Sequence, residues 1–185
     1  RISAHGETFA NQTGDLAYGH GHLSVKQVEQ GGFDGLTLFS RGVISFTEDL
    51  TLKPARSLHL YAGALGLAEQ ARADTQVRLS AAHVRLAGYT ELPSPAGGFS
   101  NNQLGALLSS REEVAQLRVD AGLLDVRNTL KFGSGASAAP QNDRRGFHQV
   151  QLNSTGDLRL LKTVGGTDGT ADLARLWTLY ARRKS

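Results

Sequence analysis

The chain contains no cysteine and no methionine. Without cysteine there is no disulfide framework, no thiolate metal site and no cysteine nucleophile. Proline is scarce, at four residues, and aromatic residues make up only 6%. No apolar run approaches the ~20 residues of a membrane-spanning helix, so no membrane span is expected. The chain starts at Arg1 with no Met, no basic n-region and no apolar h-region. It therefore reads as an interior fragment, with any signal peptide outside it. A concentrated basic face interleaved with aromatics is also missing. The formal charge is +3, and its excess falls late, at Arg144, Arg145, Arg175, Arg182, Arg183 and Lys184. Nucleic acid is therefore not an expected partner.

What is present describes an ordered chain. Hydrophobic residues are 39% of the 185 and charged residues 20%, which suits a single domain over 1–185 with a real core. The 22 glycines lie among short apolar pairs and suggest many tight corners.

A repeat carries the fold assignment. Writing Φ for an aliphatic residue, ΦxΦxAxxΦxΦ occurs three times: Leu58, Leu60, Ala62, Leu65, Leu67; Val77, Leu79, Ala81, Val84, Leu86; and Leu117, Val119, Ala121, Leu124, Val126. A second phrase, Gly-Phe-x-x-Φ-x-Leu-x-Ser-x-Gly, runs from Gly32 to Gly42 and from Gly146 to Gly156. It continues into Ile44 and Phe46, or Leu158 and Leu160. Period-two alternation turns both Φ residues to one side of a strand. The small residue then lets the chain turn a corner. Starts at 36, 58 and 77 lie about 20 residues apart, and a unit of that length buries its apolar side only by stacking on its neighbours. The expected fold is all-β: a right-handed parallel β-helix with coils of about 20 residues. An antiparallel sandwich would favour hairpin signals; no Asn-Gly occurs, and the one Asp-Gly inside the strand-rich region, Asp34-Gly35, directly precedes its strand pair.

The repeat also predicts a register. Aligning the second and third copies as consecutive coils puts Val77 over Leu117, Leu79 over Val119, Ala81 over Ala121, Val84 over Leu124 and Leu86 over Val126. It stacks Arg85 on Asp125, an exposed pair that marks register only, and Arg78 on Arg118. Residues 88–113, with Pro93, Pro95 and a helical spacing at Leu104, Leu107 and Leu108, are then a loop or helix excursion from the trunk. Residues 133–145 read as a loop. The tail 165–185 is atypical. Leu173, Leu176, Trp177 and Tyr180 suit a short amphipathic C-terminal helix, which is the expectation. Trp177, Leu179 and Ala181 also suit half of the ΦxΦxA phrase.

Phrases such as Gly32-Phe33-Asp34-Gly35-Leu36, Ser154-Thr155-Gly156-Asp157-Leu158 and Ala121-Gly122-Leu123-Leu124-Asp125 make residues 30–160 resemble the filamentous haemagglutinin family, in the later part of its exoproteins. That resemblance implies an adhesin secreted through an outer-membrane partner transporter, by two-partner secretion. It implies a rod on the bacterial cell surface, serving attachment, biofilm formation or display, with a host-cell receptor or glycan as partner.

The alternative function is a carbohydrate-active β-helix enzyme, a polysaccharide lyase or glycosidase. Glycoside hydrolysis needs two carboxylates flanking a bond. Asp120 and Asp125 lie outward on one coil. Glu48 and Asp49 are adjacent, so they point apart, and Glu112-Glu113 reads as solvated. His20 and His22 share a strand face, but only His5 is near in sequence, too few for a metal site. His59, His83 and His148 read as surface residues. No phosphate loop or nucleophile elbow occurs. An enzyme should align three or more charged groups on successive coils beside a groove, whereas a rod should scatter them; scatter is expected. No catalytic, cofactor-binding or metal residue is therefore assigned, and no enzymatic activity is expected.

Overall fold

The computed structural model describes residues 1–5, 21–40, 42–68, 70–88, 114–128, 130, 132 and 146–161, together with the backbone of 177–181. The excursion, apart from Gly88 at its start, and the loop at 133–145 lie outside these residues.

The described residues are mostly β-strand, in parallel sheets, with almost no helix. Its strands are β1 (Ile2–Ser3), β2 (Leu23–Ser24), β3 (Gly35–Phe39), β4 (Val43–Phe46), β5 (Leu50–Leu52), β6 (Ser57–Tyr61), β7 (Ala64–Leu67), β8 (Gln76–Ala87), β9 (Gln116–Arg127), β10 (Gln149–Ser154), β11 (Leu158–Leu161) and β12 (Trp177–Ala181). Every pairing between them is parallel. They form three ladders. The first runs β2-β1-β4-β7. The second runs β5, the first half of β8, the first half of β9, β10 and β12. The third runs β3, β6, the second halves of β8 and β9, and β11. Successive passes of the chain visit the ladders in turn, β4 to β5 to β6 and then β7 to the two halves of β8.

The inward columns are the aliphatic residues of the repeat. Leu50, Val77, Leu117 and Val150 stack in the second ladder, as do Leu52, Leu79, Val119 and Leu152. Leu52, Leu79, Val119 and Leu152 are fully buried, with Phe46 and Phe147 packed at a ring-centroid distance of 6.0 Å. The register expected between the second and third copies is the one found, from Val77↔Leu117 through Ala81↔Ala121 to Leu86↔Val126. The two copies are adjacent, with no strand between them.

The first copy is out of phase with the others. Leu58 pairs with Val84 rather than Val77, and Leu60 with Leu86. Its Ala62 turns the corner from the third ladder into the first, whereas Ala81 and Ala121 turn the corner from the second into the third. The phrase therefore encodes strand, corner, strand, and any corner can use it. The step from pass to pass is uneven for the same reason: Leu36 to Leu58, Leu58 to Val84, Val84 to Leu124 and Leu124 to Leu158.

The corners after Ala121 and Ser154 leave no room for a side chain at Gly122 and Gly156. A Cβ on Gly122 would lie 2.8 Å from the Ala82 carbonyl oxygen, and one on Gly156 would lie 2.6 Å from the Gly122 carbonyl oxygen. The Gly156 N–H donates to that same oxygen at 2.9 Å, which explains the approach.

Two features depart from expectation. A short helix, α1 (Val25–Gln30), follows β2. Ser24 caps it: its hydroxyl accepts from the Gln27 N–H at 3.1 Å, and Gln27 Oε1 accepts from the Ser24 N–H at 2.9 Å. Val25 and Val28 bury against the trunk. At the other end, the expected helix is corrected at Trp177–Ala181. This segment is a strand in register with β10, Val150↔Trp177 through Ser154↔Ala181. The alternation of Trp177 and Leu179 satisfied a waiting strand edge, and tertiary pairing outweighed the helical spacing.

Candidate functional site

Outward side chains on parallel strands stack in columns because each strand in register repeats the direction of the one below. Two clusters result, one on each of the longer ladders.

On the third ladder His59, Arg85, Asp125 and Arg159 occupy one column. Asp125 is the centre. Arg159 reaches it through Nε at 2.6 Å and Nη2 at 2.9 Å, and His83 Nε2 lies at 3.2 Å. Arg85 and Arg127 approach at 3.5 and 3.9 Å. The Asp125 side chain has 0% exposure, although it stands on an outward position. Its neighbours, and not depth in the core, exclude water from it. Burial alone would raise its pKa, but hydrogen bonds from Arg159 and His83 outweigh that and hold it below the ordinary carboxylate value. Arg85 also donates to the Tyr61 hydroxyl at 3.3 Å.

His83 links Asp125 to His59. His59 Nε2 and His83 Nδ1 lie 3.4 Å apart, with the rings edge to face. If His83 donates Nε2–H to Asp125, its Nδ1 is the acceptor for His59. Burial, and then the charges of His83 and Arg85, hold the His59 pKa below its ordinary value.

On the second ladder the columns are Gln76, Gln116, Gln149; Thr51, Arg78, Arg118, Gln151; and Ser80, Asp120, Asn153. Asp120 holds both arginines. Arg78 Nε donates to it at 3.0 Å, Arg118 Nε at 3.0 and 2.9 Å, and Asn153 Nδ2 at 2.8 Å. Burial opposes ionisation of Asp120, yet the bonds from Arg118, Asn153 and Arg78 keep its pKa lowered. The like-charge contact of Arg78 on Arg118 is thus relieved by a shared carboxylate. Beside this cluster lies an open groove of about 700 Å³, bordered by Asp49, Thr51, Gln76, Arg78, Gln116, Arg118 and Gln151.

The remaining candidates separate. Glu48 Oε1 accepts from the Ala4 N–H at 2.8 Å, and Asp49 Oδ1 from the Gln76 N–H at 2.7 Å. They serve different strands, as their adjacency implied. His5 and His148 are exposed. His20, Glu112 and Glu113 lie outside the described residues. Among the described residues no group of three or more His, Asp or Glu could hold a metal ion, and no helix is long and apolar enough to cross a membrane.

Two expectations need correction. The charged groups are not scattered, since both clusters align across successive passes. His59 and His83 are half-buried members of a network, not independent surface residues. The out-of-phase first copy hid that network, because His59 meets Arg85 only when Leu58 is set against Val84. Arg85 with Asp125 is likewise more than a marker of register, because the carboxylate is buried and shared.

No family model matches the chain, and comparison with curated proteins and with solved structures found no match.

Proposed function

We propose that the chain is a segment of right-handed parallel β-helix from a secreted, surface-displayed adhesin of the filamentous haemagglutinin type, serving attachment or display. One observation carries the reading: aliphatic columns run in register across consecutive parallel strands and close into one continuous core. Parallel strands joined by crossovers favour a right-handed path. Stacked coils give a stiff, lengthwise repeating surface, the property attachment needs. In this reading an outer-membrane partner transporter exports the chain, and a host-cell receptor or glycan is the external partner.

The enzyme alternative gains from the alignment of His59, Arg85, Asp125 and Arg159. It loses at the carboxylates. A glycosidase acid must keep its proton near neutral pH. Asp120 and Asp125 are both held as anions by arginine. That pair weighs against a glycosidase and supports the non-enzymatic reading.

Beads coated with the folded chain and passed over epithelial monolayers test it. Retention above that of beads carrying an unfolded variant is expected, with no new reducing ends or unsaturated products from acidic polysaccharides. Depolymerisation would establish the enzyme instead.

A further inference from the structure

We propose that the groove on the outward side of β5, β8, β9 and β10 binds a sugar chain that carries a carboxylate. The proposal rests on the attachment reading and supplies the ligand class for it.

The strongest feature is a preformed pair of forks. Arg78 and Arg118 stand directly opposite each other on paired strands. Each gives only its Nε to Asp120, and among the described residues neither has another partner. Their side chains are 51% and 48% exposed, so the Nη groups are open to a ligand. Guanidinium forks of this kind suit a carboxylate, which accepts two parallel N–H bonds. Asp120 is a positioning residue here. Held by Asn153, it fixes both planes before any ligand arrives.

The rest of the groove suits hydroxyl groups. Gln76, Gln116 and Gln151 carry amides that both donate and accept, and Thr51 adds a hydroxyl. Leu50, Val77 and Leu117 border the groove only from below, since their side chains are buried. An acidic peptide finds little in such a place. The strands beneath are already paired with one another, so a peptide cannot add as a further strand within the groove, and no apolar pocket awaits its side chains. A nucleic acid is disfavoured by charge. Two arginines against Asp120, with Asp49 at the border, fall far short of the roughly 6–10 phosphate contacts of a strong binder.

The test titrates the full chain with matched probes: oligogalacturonate against its methyl ester, and a sialylated trisaccharide against its asialo form. Binding of an acidic member in preference to its neutral partner is expected, and whichever pair responds identifies uronate or sialate as the source. Arg118→Gln and Arg78→Gln should each weaken that binding about tenfold or more, with the melting temperature little changed. Arg72→Gln, an exposed arginine bonded to Asp74 elsewhere on the surface, should leave it unchanged. The proposal is overturned by equal binding of charged and neutral probes, by binding indifferent to both arginine variants, by preference for polyglutamate, or by no binding. Bead attachment is scored separately. Attachment that survives both arginine substitutions while no probe binds removes the groove and spares the adhesive reading; loss of wild-type attachment with groove binding intact does the reverse.

Discussion

Asp125 concentrates the residue-scale physics of this chain. A carboxylate with no exposure, shared by Arg159, His83, Arg85 and Arg127, ties three strands of the third ladder through side chains alone. Its pKa is depressed in the folded state, as is that of Asp120. Each therefore contributes stability that is complete above the ordinary carboxylate value of 3.8 and lost as pH falls through the lower folded value. His59 adds an earlier step. Its folded pKa is also depressed, so below 6.5 the unfolded chain takes up a proton that the folded chain resists. Stability is then lost as pH falls from 6.5 through the folded value. Melting temperature should decline in two stages on acidification, and His59→Gln should remove the first. A wild-type profile flat between pH 7.5 and 5 would refute the depressed pKa of the half-buried His59. The glycine corners give a second residue-scale expectation. Gly122→Ala should cost about 1–3 kcal/mol by forcing the Ala82 carbonyl aside. Gly42→Ala, with nothing within 4 Å, should melt near the wild type.

At the scale of elements, one sequence phrase serves opposite purposes. Gly-Phe opens both β3 and β10, yet Phe33 is 57% exposed and Phe147 is 0% exposed. β10 lies between two neighbours, whereas β3 ends its ladder. Phe147→Ala should destabilise by about 3–5 kcal/mol, and Phe33→Ala by no more than about 0.5 kcal/mol in a denaturant melt. This contrast marks what a single sequence makes legible. Period-two alternation identified β8, β9 and β10, their inward faces and the register of β8 on β9, because a one-residue slip would expose every aliphatic residue. It could not say which corner a phrase turns, so the even spacing of starts at 36, 58 and 77 hides the pairing of Leu58 with Val84 and, with it, the meeting of His59, His83 and Asp125. α1 is legible in principle from the capping pair Ser24 and Gln27, three apart, with apolar Val25 and Val28 on one face of the turn that follows Ser24. The strand at Trp177 is legible only as an alternative, since Trp177, Leu179 and Ala181 fit half of the strand phrase while helical spacing is equally satisfied, and the pairing partner decides between them.

At the scale of the whole molecule, β8 and β9 are neighbours although residues 88–113 lie between them in the chain. Both ends of that segment are tied down: the Gly88 N–H donates to the Arg127 carbonyl at 2.8 Å, and the Val114 N–H to the Ala73 carbonyl at 3.1 Å. Replacing Ser94 to Ser109 with a short Gly-Ser bridge should leave the β circular dichroism signal intact, because loop length changes closure entropy only slowly. Loss of that signal would make the segment part of the trunk. Leu79→Asp should abolish the cooperative melt altogether. A buried unpaired carboxylate costs several kcal/mol against a total of about 5–15 kcal/mol.

The stacking itself is open to a covalent ruler, since the chain has no native cysteine to interfere. Gln76 and Gln116 are paired across β8 and β9 and both are exposed. Paired parallel strands lie about 4.7–4.9 Å apart, inside the roughly 4.4–6.8 Å Cα range that a disulfide spans. If β8 and β9 belong to consecutive coils, Gln76→Cys with Gln116→Cys should lose both thiols on mild oxidation, as a monomer two hydrogens lighter. If a further coil lies between them, the separation doubles to about 9–10 Å, and both thiols should stay titratable in the folded monomer.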